Sequence, residues 1–404
     1  MTSASESPAP EKPAPDQALA TRAVHPRVPV DFAGRPVSVP IYQTTVYAHD
    51  DIAVQKESLD NPRGAFGYSR MGNPTVRSLE EVVAGLEGGV GAVATSSGMA
   101  AIHTALGANL RAGAHLVVQN SIYGGTSGLL DDLRKRWDLG ITFIDGDDPE
   151  QLAAALRPNT AALYLETISN PVTAVADIPV MTAVAREHGV LSVVDNTFAS
   201  PMLCRPLSLG ADIVLHSATK YLGGHSDVTA GVVVYAQEQQ FVDGWKYAVG
   251  VGSTPDPFGA WLVIRGIQTL ALRMGAATAN ATDLAERLAA HRRVTKVHHP
   301  SNPEHPQYSL AAKILDGPGP MLSYDVDGGA DAARAVISRL KLIQNAASLG
   351  GVETLTMHPV STSHRTLSDE QLAVAGIAAG TVRLSTGVEA VEDIWADLEQ
   401  ALDG

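Results

Sequence analysis

The chain has 404 residues, of which 45% are hydrophobic, and this length predicts two or three structural units around a large buried core. Acidic residues outnumber Lys and Arg by 43 to 29, so the net charge of −14 gives no support to a nucleic-acid or anionic-membrane partner. The single cysteine, Cys204, excludes an intramolecular disulfide framework and a thiolate metal cluster, and we expect a reducing, cytoplasmic setting.

The first residues of the chain, 1–20, are rich in Pro, Ala, Ser and Glu and contain almost no bulky apolar side chains. Because such a segment cannot offset the entropy lost on ordering its backbone, we predict a disordered tail. The segment lacks the basic start and apolar core of a signal peptide, and no later window offers about 18 uninterrupted apolar residues. We therefore predict neither secretion nor membrane insertion.

An apolar, aromatic segment begins near Val39 and leads into the polar, Gly- and Pro-punctuated residues 48–67, which we interpret as a long loop. Asn73 and Pro74 then predict the start of a helix, with Asn as N-cap and Pro in the first helical position. From there, helical patterns separate most of six short apolar runs: GAVAT, HLVVQ, ITFID, AALYLE, LSVVDN and IVLHS. This alternation predicts an α/β fold with a mostly parallel sheet covered by helices on both faces.

A long helical connection is predicted from Pro257 to about His291. The strands MLSYDV, TLTMHP and TVRLST and two further helical patterns follow it and predict a smaller α+β unit. We place the domain boundary near residue 265.

The strongest local signal for chemistry is a lysine among small polar residues, in SATKYLGGHSDVTAG at 217–231. Lys220 follows a predicted strand and is flanked by Ser, Thr and paired glycines. A lysine that forms a Schiff base must be neutral to attack an aldehyde, which favours a partly buried amine, and glycines let a bulky cofactor approach the backbone. Taken alone, a lysine is more often a solvent-exposed charge.

Eight motifs occur in an order that resembles the Cys/Met-metabolism family of pyridoxal-phosphate enzymes, from about residue 38 to the C-terminus. They are YSRMGNPT, TSSGMAAI, YGGT, ETISNP, VVDNTFASP, SATKYLGGHSD, SLGGVETLTMHP and TVRLSTGVE. The family includes cystathionine γ-synthases, cystathionine lyases, methionine γ-lyases and O-acylhomoserine sulfhydrylases. The resemblance implies pyridoxal 5′-phosphate as cofactor, on Lys220, and an aspartate-aminotransferase-like fold (PLP fold type I) with a seven-stranded type of sheet.

The predicted organisation of the chain is then as follows. A disordered tail (1–20) is followed by an N-terminal arm and intersubunit loop (21–65), a cofactor-binding large domain (66–265) and a C-terminal domain (266–404).

An aspartate is the candidate partner of the cofactor's ring nitrogen. Asp195 ends the predicted strand LSVVDN, 25 residues before Lys220, so both can lie at the carboxyl edge of one sheet. A carboxylate there can keep the pyridine nitrogen protonated, and without that charge the ring is a poor electron sink. A helix-capping aspartate is the alternative interpretation. Thr197, in the same motif, is predicted to contact the cofactor.

The predicted phosphate site is the turn between the strand GAVAT and the helix that follows. Ser97, Gly98 and Met99 stand where a helix begins, and its free N–H groups and dipole suit an anion. Ser217 and Thr219 can add hydroxyl donors. The turn matches neither the dinucleotide fingerprint nor a Walker A sequence.

Two residues are predicted to act across a subunit boundary. The resemblance implies that Tyr68 and Arg70 reach the phosphate of a neighbouring subunit's cofactor, which requires at least a dimer and favours a homotetramer. Arginine suits bidentate phosphate contacts, although an exposed loop arginine beside a packed tyrosine is the alternative.

The substrate-facing residues come from four further motifs. The resemblance implies that Tyr123 stacks on the cofactor ring and assists proton transfer at the leaving group, and that Arg383 clamps the substrate α-carboxylate. It also implies that Ser348 supports the same carboxylate and Lys220, and that Asn170 hydrogen-bonds the ring oxygen or the carboxylate. An unpaired arginine inside the apolar strand TVRLST would be costly, so it needs an anion.

We predict no metal site. His216, His225 and His358 are scattered and lack the H-E-x-x-H spacing of zinc enzymes, so we interpret them as structural or supporting residues. Cys204 is predicted to be a small buried hydrophobe.

The resemblance implies a γ-elimination that converts methionine, homocysteine or cystathionine to 2-oxobutanoate, ammonia and a thiol. The alternative is γ-replacement, as in an O-acylhomoserine sulfhydrylase or cystathionine γ-synthase. Residue 347 is Ala where cystathionine-handling members often have Glu, but Gly125 stands where methionine lyases typically have Cys. A non-catalytic binding protein is disfavoured because the predicted catalytic residues are all present.

Overall fold

The computed structural model describes residues 17–25, 36–365 and 367–404. Residues 1–16 of the predicted disordered tail (1–20) lie outside the described residues. Its end is corrected, because Leu19 and Ala20 begin helix α1 (Leu19–Val24), whose Ala23 is buried in the main core.

The described residues form helices and strands that alternate along most of the chain. The helices after α1 are α2 (Ile52–Asp60), α3 (Pro74–Glu87), α4 (Gly98–Gly107), α5 (Gly124–Trp137), α6 (Pro149–Ala155), α7 (Ile178–Glu187), α8 (Ser200–Leu203), α9 (Glu238–Val251), α10 (Pro257–Ile267), α11 (Leu270–Ala289), α12 (Tyr308–Ile314), α13 (Gly329–Arg339), α14 (Asp369–Val374) and α15 (Val391–Asp403). The strands are β1 (Gly91–Thr95), β2 (His115–Gln119), β3 (Gly140–Ile144), β4 (Thr160–Glu166), β5 (Leu191–Asp195), β6 (Ile213–His216), β7 (Gly231–Tyr235), β8 (Val294–His298), β9 (Met321–Val326), β10 (Gln344–Asn345), β11 (Leu355–Met357) and β12 (Thr381–Ser385). None of these helices is long and apolar enough to cross a membrane.

The larger sheet has seven strands in the order β1-β7-β6-β5-β4-β2-β3. Strand β7 runs antiparallel to both of its neighbours, and the other pairs are parallel. Successive residues of β5 point to opposite faces, with Val193 in one hydrophobic cluster and Val194 in the other. Helices therefore cover both faces, which confirms the predicted mostly parallel α/β sheet. Only β7 among its strands was missed, because GVVVY follows directly on the glycine-rich lysine motif.

The smaller sheet has five strands in the order β10-β11-β12-β9-β8 and is antiparallel except for the β10–β11 pair. Helices α11, α13 and α15 pack against it through residues such as Leu284, Val336 and Leu398. This unit confirms the predicted second α+β element. Strands β8 and β10 were not predicted, since VTKVH is half polar and QN has only two residues.

Residue 265 falls inside α10, whose apolar side chains pack in the same cluster as the large sheet. On α11, Met274 still belongs to that cluster, whereas Ala281 belongs to the core of the small sheet. The chain passes between the two cores within this one helix. The domain division at 265 stays a prediction.

One loop prediction is wrong. Residues 48–67 contain α2, and the Asp51 side chain caps this helix by accepting from the Ala53 N–H at 2.7 Å. Its residues are mostly good helix formers, although they show little of the apolar periodicity that marks a helix in sequence. The predicted start of α3 is confirmed, because the Asn73 side chain accepts from Thr75 N at 2.9 Å and Pro74 is the first helical residue.

Asp397 on α15 holds the turn that follows α13. Its carboxylate, 6% exposed, accepts the backbone N–H groups of Lys341, Leu342 and Ile343 at 2.8–3.1 Å.

The replacement Asp397→Ala leaves these donors without an acceptor. We therefore expect the free energy of unfolding, measured by urea denaturation, to fall by about 3 kcal/mol. The exposed Glu399→Ala on the same helix is the control, and an equal small effect of both variants would contradict the prediction.

Candidate active site

A cavity of about 830 Å³ lies beyond the carboxyl ends of the parallel strands β4, β5 and β6. This is the edge at which open α/β sheets bind ligands. Twelve of the predicted site residues line it: Ser97, Gly98, Met99, Tyr123, Asn170, Asp195, Thr197, Ser217, Thr219, Lys220, Ser348 and Arg383. Residues from both sheets therefore meet in one cavity.

Lys220 stands in the turn after β6 and is partly buried. Its Nζ donates to Ser348 Oγ at 2.7 Å. Burial, helped by the nearby positive charge of Arg383, lowers the pKa of Lys220 to about 8. The amine is therefore far easier to deprotonate than an exposed lysine, as a nucleophile toward an aldehyde requires.

Ser348 connects this lysine to the small sheet. Its φ is +86°, a conformation that costs a non-glycine residue free energy and is found most often at functional sites. In this conformation its hydroxyl accepts from Lys220, while its backbone oxygen accepts from Arg383 Nη2 at 2.7 Å. One residue thus fixes the distance between the amine and the guanidinium.

Arg383 on β12 is 4% exposed and has no carboxylate partner among the described residues. Its Nη1 donates to Asn170 Oδ1 at 3.1 Å, and its Nε has no hydrogen-bond partner in the described part of the chain. Burial lowers the pKa of Arg383 to about 10. A buried guanidinium with a free donor is costly, and an anion such as a carboxylate would satisfy that donor.

Asp195 ends β5 on the floor of the cavity. Its Oδ1 accepts from Thr197 N at 2.9 Å and from Thr197 Oγ1 at 2.5 Å, and the Tyr164 hydroxyl donates to Oδ2 at 3.4 Å. Burial raises the pKa of Asp195, and the bonds from Thr197 oppose that effect. A cationic group in the cavity would stabilise the carboxylate, which is the role of a protonated pyridine nitrogen.

Glu166, at the end of β4, is a site residue whose role the sequence analysis missed. It accepts the backbone N–H groups of Tyr123 at 2.7 Å and Asn170 at 3.2 Å, so it orients two predicted site residues. Burial and the neighbouring Asp195 raise the pKa of Glu166 well above its usual range. Its position at the end of the predicted strand AALYLE, in the motif ETISNP, was the available signal.

A buried hydrogen-bond network lies next to Asp195. His216 Nε2 is 2.7 Å from Glu87 Oε1, which also accepts from Asn196 Nδ2 at 2.8 Å. Positive charge on His216 lowers the pKa of Asp195 and so favours its ionised form. The predicted supporting role of His216 agrees with this position, whereas Glu87 was not singled out because it ends an ordinary amphipathic helix.

The N-terminus of α4 forms an anion cradle. Ser97 caps the helix by accepting from Ala100 N at 3.1 Å, while the first N–H groups of a helix have no acceptor within it. A Cβ at Gly98 would lie 2.6 Å from Ser217 Cβ, so only glycine allows this close approach. The Thr219 hydroxyl bonds to the backbone of Ala230. The N–H groups at the start of α4, the Lys220 amine and the Asp195 carboxylate fit the phosphate, aldehyde and ring nitrogen of pyridoxal phosphate.

Tyr68 and Arg70 do not line the cavity of their own chain. Arg70 Nη1 donates to Val249 O at 2.7 Å, and its guanidinium lies 5.7 Å from the centre of the Tyr68 ring. Their predicted contact with a partner's cofactor stays a prediction. Elsewhere, no group of three His, Cys, Asp or Glu side chains in residues 17–25, 36–365 and 367–404 is arranged to hold a metal.

Comparisons with known proteins identify the family. Residues 20–403 match the family described as "Cys/Met metabolism PLP-dependent enzyme". An L-methionine γ-lyase of Porphyromonas gingivalis is 42% identical over 95% of this chain and 97% of its own length, and a cystathionine γ-synthase of Mycobacterium bovis is 42% identical over 95% and 96%. A crystal structure of cystathionine γ-synthase from Xanthomonas oryzae pv. oryzae, in complex with aminoacrylate and cysteine, has a TM-score of 0.90 at 39% identity and covers 96% of this chain and 98% of that one.

These matches extend over nearly the whole chain, and the same cavity carries the lysine, aspartate and helix N-terminus that the cofactor needs. The chain therefore belongs to the Cys/Met-metabolism family of pyridoxal-phosphate enzymes, and its cofactor is pyridoxal 5′-phosphate.

Proposed function

We propose that this enzyme catalyses γ-elimination of sulfur amino acids, giving 2-oxobutanoate, ammonia and a thiol. The observation that carries the proposal is the Lys220–Ser348–Arg383 connection inside one cavity. An α-carboxylate bound by the free guanidinium donor holds its Cα close to the lysine amine. Relatives named methionine γ-lyase and cystathionine β-lyase support a lyase.

Bound pyridoxal phosphate supplies an electron sink for negative charge at Cα. Lys220 Nζ, neutral above its lowered pKa of about 8, accepts the Cα proton. Asp195 holds the proton on the ring nitrogen. A second deprotonation, at Cβ, then allows the Cγ–S bond to break. The Tyr123 hydroxyl, on a side chain that is 41% exposed and lines the cavity, donates a proton to the departing sulfur.

A γ-replacement reaction is the second candidate. The cavity of about 830 Å³ has room for an incoming thiol beside the amino acid, and one relative is named cystathionine γ-synthase. Both reactions use the same residues up to loss of the γ-substituent. They differ in whether water or a thiol reacts with the unsaturated product of that loss.

The first experiment separates the two reactions. We expect purified enzyme to release 2-oxobutanoate from methionine, homocysteine or cystathionine without any added thiol, measured by a coupled lactate dehydrogenase assay. Lys220→Ala is the control and should lose both this activity and the visible absorbance band of the bound cofactor. The replacement reaction is the correct one if 2-oxobutanoate forms only from O-acylhomoserines and if added sulfide or cysteine yields a new amino acid in its place.

The lowered pKa of Lys220 predicts the pH dependence of cofactor uptake. Only the neutral amine attacks the aldehyde, so the rate of uptake by the apoenzyme should rise with pH and level off above about 8. Stopped-flow absorbance measures this rate. An exposed lysine would give a midpoint near its usual value of about 10.4, and that outcome would contradict the proposed burial of the amine.

We also propose that two subunits share each active site and that dimers pair into a tetramer. The arm that leads to Tyr68 exposes apolar side chains, with Val37 99%, Val46 63% and Ile52 83% exposed. Such a surface is typical of protein interfaces. A cytoplasmic location and the domain division near residue 265 remain proposals from the sequence.

Mixing two inactive variants tests the shared site. Arg70→Ala and Lys220→Ala are each expected to be inactive, but a mixed dimer contains one site with both residues intact. Co-expression should therefore restore about 25% of the wild-type activity for random dimers. The doubly substituted chain is the control, and no recovery on mixing would show that Arg70 does not act across the interface.

A further inference from the structure

A second arginine lines the cavity. Arg365 is exposed, and its Nη1 donates to the backbone oxygen of Thr362 at 2.8 Å. It forms no ion pair with a carboxylate in the described part of the chain. Besides Lys220, the cavity thus has two arginines, the buried Arg383 and the exposed Arg365, and neither pairs with a carboxylate among the described residues.

The fold holds the segment 361–365 against the cavity. A Cβ on Gly124 would lie 2.0 Å from the backbone oxygen of Ser363, so the segment packs directly on the start of α5. His364 is buried, and its Nδ1 lies 2.8 Å from Ser363 Oγ. The backbone that carries Arg365 is therefore anchored beside Tyr123, the predicted proton donor to the leaving group.

The neighbouring face of α5 is made of glycines. A Cβ on Gly125 would lie 2.4 Å from the Tyr123 ring, so this glycine lets the ring lie on the helix. A Cβ on Gly128 would meet nothing within 4 Å, so that side of the cavity is open. The glycine face of α5 therefore leaves space along this wall of the cavity.

The charges of the cavity select what fits there. The lining carboxylates among the described residues are Glu166 and Asp195, which are 4% and 8% exposed at the strand ends. Neither pairs with Arg365. With Arg383 occupied by the α-carboxylate, the exposed guanidinium is left to bind a second anionic group on the substrate.

We propose that Arg365 binds a distal carboxylate on the γ-substituent of the substrate. The enzyme then prefers dicarboxylic substrates, such as thioethers and esters of homoserine that end in a carboxylate. Substrates of similar reactivity whose γ-substituent is neutral react less well. This inference rests on the proposed function only for the orientation of the substrate, with its α-carboxylate at Arg383. Arg365 is then a specificity residue and takes no part in proton transfer.

Two matched substrate pairs test this role. Cystathionine has a distal carboxylate and ammonium that methionine lacks, and O-succinyl-L-homoserine has a distal carboxylate alone that O-acetyl-L-homoserine lacks. In Arg365→Gln we expect kcat/KM to fall about tenfold for the carboxylate-bearing member of each pair, mostly through KM, with the neutral member unchanged. Arg365→Lys should recover part of the loss. Arg111→Gln, an exposed arginine that bonds only to nearby backbone oxygens, is the control.

The outcome is separable from that of the proposed function. Equal changes for both members of a pair, or no change for either, would overturn the role of Arg365 even if the wild type eliminates methionine. If the wild type performs only replacement, the ester pair with added sulfide still measures the preference. An unchanged cofactor absorbance spectrum in Arg365→Gln excludes loss of folding as the cause of any effect.

Discussion

The active site depends on the contact that Ser348 makes with both sheets. Lys220 follows a strand of the large sheet and Arg383 lies on a strand of the small one, and Ser348 bonds to each of them. The serine adopts a left-handed backbone conformation to do so. Without this bridge the amine and the guanidinium would belong to separate units, and no fixed distance would relate them.

The buried charges of the site are matched to an occupied state. Arg383 has a free donor, and burial raises the pKa of Asp195 although the bonds from Thr197 oppose it. A substrate carboxylate at Arg383 and a protonated cofactor ring at Asp195 would satisfy these two groups. Glu166 bonds to the backbone of Tyr123, and Glu87 bonds to His216, so buried polar contacts support the residues around the cavity.

The proposed specificity site lies on a different part of the cavity wall. There the glycine face of α5 leaves space, and the anchored segment 361–365 carries Arg365. Under this proposal, binding of the α-carboxylate and choice of the γ-substituent depend on different elements of the fold.

The sequence by itself determined the alternating α/β architecture and the motifs that place Lys220 and Asp195 at strand ends, because hydrophobic periodicity and turn residues act locally. It did not reveal helix α2, whose apolar pattern is weak, or strand β7, which is joined to the lysine motif. Only the tertiary structure brought together residues distant in sequence such as Glu87 with His216 and Glu166 with Tyr123. These contacts depend on how the two sheets and their helices pack, and no local pattern encodes that packing.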